Sequence, residues 1–296
     1  MQSKMTTKTP LLLQAGVSYA ATTPLWYTLM LDHKYYHSGH RKEMQWLPLL
    51  DYKRRGKERS YQKRAKIFVN NPQAYKKKNK PQELQTAPDF SLAEEEYFFS
   101  LPTSIEKYIE YYELLWSRVK GEYQSVCDLS NFNIFLQEEF LQMHKDQLLE
   151  HFDIKVMMIF RDPIRRLWSS SLCDRKNMTW NGKVEYFARY VDIYKKYVNV
   201  FGKERVMPLI MEEIWEDPTP LSDFLAYKIE KMHVNCYHPE RGTRAPKHKY
   251  LKDQWKDETL DIIEAEYYQL KDELSYLYTD FEQVFGRMPK NWGVYI

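Results

Sequence analysis

Cysteine is scarce in this sequence: the 296 residues include only three, and they lie far apart. They are Cys127, Cys173 and Cys236. An odd number of widely spaced cysteines does not predict a disulfide framework, so a reducing compartment is the expectation. The class of small, disulfide-stapled secreted domains is thereby excluded.

Long apolar runs are also missing from the sequence, and none approaches the roughly 18 residues that indicate a membrane span. Near the N-terminus, Lys4 and Lys8 precede the segment LLLQAGVSYAA, which loosely imitates a signal peptide. Gln14 interrupts this segment, and the same residues fit a buried strand better. We therefore predict a soluble, cytoplasmic protein without a membrane span.

Charge is nearly balanced over the whole chain, with a formal net charge of +3, but it is uneven along it. Residues 53–80 hold twelve Lys or Arg and a single acid, Glu58. Such a block is typical of a solvated face, and it also suits an acidic partner. No nucleic-acid-binding motif accompanies it. We predict no nucleic-acid partner, and we interpret residues 52–100 as irregular or peripheral.

Strand-like and helix-like segments alternate along the chain. Residues 11–16, 154–160 and 206–211 read as strands, and the near-continuous apolar run IKVMMIF at 154–160 is typical of a parallel sheet covered on both faces. Thr103 and Glu106 form a capping box before a helix, and Gly286 is expected to end a long C-terminal one. We predict an α/β fold with a central, mainly parallel sheet flanked by helices, forming one domain over residues 1–296 with a basic peripheral insertion around 52–100.

The first candidate site is the segment GVSYAATTPL, residues 16–25, between a strand and a predicted helix start at Thr23-Pro24. It suggests a phosphate-binding loop, but a nucleotide-binding P-loop reads G-x-x-x-x-G-K-[ST]. Aligned on Gly16, the sequence has Ala21 in place of the second glycine and Thr22 in place of the lysine. From these residues alone, three interpretations stay open: a damaged P-loop, another kind of phosphate loop, or no phosphate loop at all.

The second candidate site is FRDPIRRLWSSSLCDR, residues 160–175. Arg161 ends a predicted buried strand, and ligands of parallel α/β sheets bind outside such strand ends. A guanidinium group there offers a planar fork for a phosphate. Asp162 and Pro163 are expected to begin a helix on which Ser169 adds a hydroxyl donor. The alternative is an ordinary strand-to-helix turn with surface charges.

The segment from Arg161 to Ser169 resembles the R-D-P-x-x-R-x-x-S motif with which sulfotransferases bind the 3′-phosphate of PAPS, 3′-phosphoadenosine 5′-phosphosulfate. Residues 16–25 are similar to the family's 5′-phosphosulfate loop, G-x-P-K-x-G-T-T-x-L. The matching residues are Gly16, Thr22, Thr23 and Leu25. The residues that depart from the family pattern are Ser18 for proline, Tyr19 for lysine and Ala21 for the second glycine.

Further segments resemble the family in the same order along the chain. They are residues 41–47 (RKEMQWL), Gly121-Glu122, Glu212-Glu213 and the late loop at 241–251 (RGTRAPKHKYL). The resemblance implies a P-loop-like sulfotransferase fold, PAPS as cofactor with PAP as its product, and no required metal. The cofactor-binding residues that it implies are Ser18, Tyr19, Ala20, Ala21, Thr22, Thr23, Arg161, Ser169, Arg241, Gly242, Thr243 and Arg244.

The implied reaction is in-line transfer of a sulfuryl group to an acceptor hydroxyl or amine, which requires a general base. In the branch resembling glycan and tyrosyl-protein sulfotransferases that base is a glutamate, which corresponds to Glu43. Arg41 and Lys42 are the candidates for balancing charge on the leaving phosphate, because Tyr19 brings no positive charge where the family has lysine.

Three histidines close to Glu43 keep a histidine base open. They are His33, His37 and His40. Their spacing fits no common zinc pattern, so we predict no metal site. The acceptor is open, with an acidic or carbohydrate acceptor as the suggestion, and so is the oligomeric state. Two alternatives are a P-loop kinase or NTPase, and a PAPS- or PAP-binding homologue without activity.

Overall fold

The computed structural model describes residues 8–16, 22–39, 44–69, 90–163, 166, 189–232, 274–289 and 292. Its centre is a five-stranded sheet in which every pair of neighbouring strands is parallel. The strands are β1 (Thr9–Gln14), β2 (Tyr36–His37), β3 (Ser125–Asp128), β4 (Phe152–Phe160) and β5 (Val206–Ile210). The predicted parallel α/β architecture is confirmed.

The strand order is β2-β3-β1-β4-β5, which places β1 at the centre of the sheet. Its three successive leucines, residues 11–13, are all buried. Successive strand residues point to opposite faces, so this run fits only a strand that is covered on both sides. The last five residues of β4, 156–160, are likewise buried without a gap.

The order of the strands also locates a crevice. The chain leaves β1 toward the β3–β2 side of the sheet, and it leaves β4 toward β5 on the other side. Neighbouring strands whose connections diverge in this way form a topological switch point, and ligands of open α/β sheets bind there, outside the carboxyl ends. By this rule, we expect the ligand crevice of this fold between the ends of β1 and β4.

Helices surround the sheet. In chain order they are α1 (Thr22–Tyr27), continued by a π-helical turn (Thr28–Asp32), α2 (Trp46–Arg54), α3 (Glu58–Val69), α4 (Leu92–Phe98), α5 (Ile105–Val119), α6 (Glu138–His151), α7 (Tyr190–Phe201), α8 (Met211–Ile214), α9 (Thr219–Leu225) and α10 (274–285), with 3₁₀ turns at Asn131–Phe135 and Lys203–Arg205. None of the described helices has the length and apolar character that a membrane span requires.

Two predicted helix starts, with Thr23 and Thr103 as N-caps, are wrong by two residues at α1 and by one residue at α5. Helix α1 begins at Thr22, so Thr23 lies inside its first turn and is not the N-cap. At α5 the N-cap is Ser104, whose hydroxyl accepts a hydrogen bond from the Lys107 N–H at 3.2 Å. Two adjacent hydroxyl residues can each cap a helix, and local sequence alone does not choose between them.

The stretch 52–100 is not irregular where it is described, because it contains α3 and α4. Both helices pack on the buried Trp46, whose ring lies 5.1 Å from that of Phe68 and 6.5 Å from that of Phe98. Aromatic burial therefore anchors part of the segment to the rest of the chain. That residues 1–296 form a single domain stays a prediction.

The end of the C-terminal helix agrees with the sequence. Helix α10 ends before Gly286, which has a φ of 72° and donates its N–H to the Glu282 carbonyl at 2.8 Å. A left-handed residue at this position is a frequent helix terminator, and glycine adopts it without a steric penalty. Residues 260–273 of the predicted helix lie outside the described residues.

Candidate functional site

Gly16 lies just beyond the end of β1, beside the backbone of β4. The preceding residue, Ala15, donates its N–H to the Met157 carbonyl at 2.9 Å. A Cβ atom at Gly16 would lie 2.8 Å from Nε2 of Gln14 and 3.3 Å from the backbone nitrogen of Ile159. The φ of Gly16 is outside the left-handed range, so the requirement for glycine here is one of space.

Arg161 follows the last residue of β4, on the opposite side of the crevice. It is half-buried, and its carbonyl accepts a hydrogen bond from the Tyr190 hydroxyl at 2.7 Å. The Tyr190 ring stacks on Phe160 with centroids 4.5 Å apart. Burial raises the pKa of Tyr190, which keeps its hydroxyl protonated as a donor. Helix α7 thus fixes the backbone that carries the Arg161 guanidinium group.

The turn after Arg161 is held by residues of α8 and α10. The Asp162 carbonyl accepts the Arg166 N–H at 2.9 Å, and Pro163 occupies the first helical position, as predicted. The Asp162 carboxylate accepts from the Tyr278 hydroxyl at 3.1 Å. Glu212 accepts from the Asp162 N–H at 3.3 Å.

Glu212 and Glu213 belong to α8, directly after β5, and not to the strand itself. Besides Asp162, Glu212 accepts a hydrogen bond from the indole of Trp292 at 3.1 Å. Glu213 forms a two-point pair with Arg287, with N–O distances of 2.5 and 2.6 Å. This acidic pair therefore ties the C-terminal part of the described chain to the end of β4.

The last residue of β3, Asp128, is a polar group at this edge that the sequence did not single out. Its side chain is fully buried and accepts from the Ser130 N–H at 3.1 Å, the Ser130 hydroxyl at 2.6 Å and the Tyr108 hydroxyl at 3.3 Å. Burial raises the pKa of this carboxyl. P-loop NTPases hold magnesium with an acid that follows a strand. Asp128 is instead engaged by protein donors.

Two of the three histidines have packing roles. His37, in β2, is buried, and its Nδ1 accepts the Gly39 N–H at 3.0 Å while its ring meets Tyr123 edge-on. The ring of His33 lies edge-on to Tyr227, with centroids 6.1 Å apart. His40 lies outside the described residues. Within the described ranges, no three His, Cys, Asp or Glu side chains come together in a way that could hold a metal ion.

The structure thus brings the first residues of both predicted motifs, Gly16 and Arg161, to the carboxyl ends of neighbouring strands at the switch point. The backbones of Thr22 and Thr23 lie in the first turn of α1. The other predicted site residues lie outside the described residues: Ser18, Tyr19, Ala20, Ala21, Arg41, Lys42, Glu43, Ser169, Arg241, Gly242, Thr243 and Arg244. Gln45, two residues after Glu43 in sequence, donates its N–H to the Ser130 hydroxyl at 2.7 Å.

The sequence itself matches no protein-family model and no curated protein. Among solved structures, the fold resembles a sulfotransferase from Alicyclobacillus acidocaldarius with a TM-score of 0.54 and 16 % sequence identity, covering 97 % of this chain and 99 % of that one. A second similar structure is the sulfotransferase domain of the Synechococcus PCC 7002 olefin synthase, with a TM-score of 0.47, 18 % identity and 78 % coverage of both chains. The first likeness establishes the fold, so the predicted sulfotransferase-type α/β fold is confirmed.

Proposed function

We propose that this protein is a PAPS-dependent sulfotransferase that transfers a sulfuryl group to an acceptor hydroxyl or amine. The observation that carries the proposal is the meeting of Gly16 and Arg161 on neighbouring strand ends at the switch point. These residues belong to the two segments that resemble the phosphosulfate loop and the 3′-phosphate motif. They are 145 residues apart in sequence, so their meeting is independent support for a joint role.

The residues around the crevice fit a nucleotide that carries phosphates at both ends. Gly16 leaves the end of β1 free of a side chain, and the half-buried Arg161 provides a cationic fork across from it. In the proposal, Arg161 and Ser169 hold the 3′-phosphate, residues 18–23 hold the 5′-phosphosulfate, and residues 241–244 close over the nucleotide. PAPS would supply the activated sulfuryl group.

Glu43 is the proposed general base, as in the glycan and tyrosyl-protein type, with Arg41 and Lys42 balancing developing negative charge. Support comes from Gln45, two residues further on, whose N–H is bonded to Ser130 at the end of β3. This contact ties the segment to the carboxyl edge of the sheet, where the crevice opens. Tyr19 at the family's lysine position is the reason that a PAP-binding protein without transfer activity is the second candidate.

An acidic or carbohydrate acceptor is the proposed substrate class. Helix α3 exposes Arg59, Lys63 and Lys66, and none of them forms an ion pair with a described residue. Arg64 of the same helix stacks over Phe132 and is hydrogen-bonded to the Gln45 side chain, so the helix flanks the Glu43 segment. Unpaired cations beside this segment would attract an anionic acceptor. A cytoplasmic location likewise stays a prediction.

A P-loop kinase or NTPase is the less favoured alternative. It needs a lysine at Thr22 and an acid free to hold magnesium. The acid at the end of the strand beside β1 is Asp128, and its oxygens are already bonded to Ser130 and Tyr108. These contacts favour a metal-independent nucleotide over a magnesium-bound triphosphate.

Thermal shift with PAP, PAPS and Mg-ATP, followed by transfer of labelled sulfate to an acceptor panel, tests the proposal. We expect PAP and PAPS to raise the melting temperature and ATP to leave it unchanged. Glu43→Ala should abolish transfer while PAP still binds, and Tyr19→Lys should raise the rate. Stabilisation by Mg-ATP alone would overturn the proposal, and PAP binding without any transfer would support the inactive homologue.

A further inference from the structure

Gln14 combines complete burial with an unused hydrogen-bonding group. Its side chain is 0 % exposed, and neither Oε1 nor Nε2 has a partner among the described residues. Buried carboxamides without partners are rare, because the group has lost its bonds to water and gained none in return. An unpaired amide in a fully packed position is therefore a feature that needs a reason.

The Gln14 amide lies beside Gly16, at the carboxyl end of β1. Gln14 is the last residue of β1, at the switch point, and its Nε2 is the atom nearest to the place a Cβ of Gly16 would take, at 2.8 Å. The space that glycine leaves at position 16 is thus bordered by the Gln14 carboxamide. Residue 16 opens the proposed phosphosulfate loop.

The backbone of Gln14 is held in place independently of its side chain. Asn133 donates from Nδ2 to the Gln14 carbonyl at 3.1 Å, and the carbonyl of Asn133 accepts the Tyr197 hydroxyl at 2.6 Å. The Oδ1 atom of Asn133 is also buried and has no partner among the described residues. These bonds hold the backbone of the strand end, while the Gln14 amide itself is bound by none of the described residues. An anchored backbone lowers the entropy that the side chain loses when it binds a ligand.

We propose that the Gln14 carboxamide is an anion-binding group of the crevice, and that its N–H donates to an oxygen at the 5′-phosphosulfate end of the nucleotide. This inference rests on the proposed function and adds a residue to it. A neutral donor at this point fits a loop in which Tyr19 stands where a lysine is expected. The carboxamide can also turn about its terminal bond, so either its donor or its acceptor side can face the ligand.

Tyr36 offers a matched control within the same sheet. Its hydroxyl is also fully buried and has no partner among the described residues. It lies in β2, two strands from β1, and pairs with Ser125, whose hydroxyl donates to the Pro10 carbonyl near the other end of β1. Gln14 and Tyr36 are therefore both buried polar groups without a partner among the described residues. They differ in position, because Gln14 lies at the switch point and Tyr36 does not.

Calorimetric titration of the full chain with PAP and with adenosine 3′-phosphate tests the inference, since only PAP carries a 5′-phosphate. In Gln14→Met, which keeps the length but removes the amide, PAP affinity should fall about tenfold and adenosine 3′-phosphate affinity should stay unchanged. The melting temperature without ligand should be equal or higher, because a buried unpaired amide is removed. Tyr36→Phe should leave both affinities unchanged.

Three outcomes separate the inference from the proposed function. If the wild type binds neither nucleotide, the proposed function fails and the inference fails with it. If the wild type prefers PAP and Gln14→Met keeps the same preference, only the inference is overturned. If Gln14→Met lowers the melting temperature of the ligand-free protein, the amide has a structural partner and the inference is likewise overturned.

Discussion

Strands β1 and β3 are neighbours in the sheet, and the last residue of each strand is polar and fully buried. Gln14 is the last residue of β1 and Asp128 the last residue of β3, and Leu13 pairs with Asp128 across the two strands. Asp128 accepts hydrogen bonds from Ser130 and Tyr108. Gln14 has no such partner for its side chain among the described residues.

The contrast between Asp128 and Gln14 distinguishes a structural polar group from a binding group at a strand end. Removing a polar side chain from water is unfavourable unless its hydrogen bonds are replaced. At Asp128 the protein replaces them itself, so the residue stabilises the fold. For the Gln14 amide, our inference is that a ligand bound at the switch point supplies the hydrogen bonds.

The largest expected effect is at Asp128. Asp128→Ala leaves the buried donors of Ser130 and Tyr108 without an acceptor and should lower the free energy of unfolding by about 3 kcal/mol or more. Urea denaturation measures this, with the exposed Asp146→Ala as control. A loss no larger than that of the control would show that Asp128 is not part of the structural network.

Arg161→Ala should weaken nucleotide binding. Loss of a charge-assisted hydrogen bond to phosphate corresponds to about 1.5–3 kcal/mol, or about 10- to 100-fold in PAP affinity, which calorimetry measures. Arg205→Ala is the matched control, since Arg205 pairs with Asp153 at the amino end of β4. Equal PAP affinity in Arg161→Ala and the wild type would remove Arg161 from the site.

Gly16→Ala tests whether the Gln14 side chain occupies the space beside Gly16. The new Cβ would lie 2.8 Å from Nε2 of Gln14, so we expect a loss of about 1–2 kcal/mol in the free energy of unfolding. In a Gln14→Ala background, Gly16→Ala should lower the free energy of unfolding by a smaller amount, because the contact with Nε2 is absent. A double-mutant cycle in urea measures the coupling, and additive effects would contradict it.

The smallest effect concerns pH. Burial raises the pKa of Asp128 above its ordinary value of 3.8, so the native state binds this proton more tightly than the unfolded state. The corresponding stability is fully present below pH 3.8 and is lost as the pH rises through the native pKa. The stability of wild type relative to Asp128→Asn should therefore fall as the pH rises from 4, in urea titrations at stepped pH. A difference that grows with pH would show that the native pKa is lowered.

Local patterns in the sequence predicted three of the five described strands, β1, β4 and β5, and the helices α1, α5 and α10. The apolar run at 154–160 lies within β4, and the segment predicted to begin a helix at Thr103 and Glu106 lies at the start of α5. Boundaries were less accurate, as at Ser104, because neighbouring hydroxyl residues compete for the same backbone N–H groups. The helices within 52–100 were not predicted because their many charged residues outnumber the few aromatic residues, such as Phe68, that pack against the rest of the chain.

The sequence alone determined the two motifs that contain Gly16 and Arg161, since turn residues after an apolar run follow from neighbours along the chain. The tertiary structure was needed to show that these motifs lie at adjacent strand ends and that Asp128 is bonded to Ser130 and Tyr108. It also showed that the buried Gln14 side chain has no partner among the described residues. The physical reason is that hydrogen-bond partners and burial depend on which strands are adjacent. The order β2-β3-β1-β4-β5 joins residues that are more than a hundred positions apart.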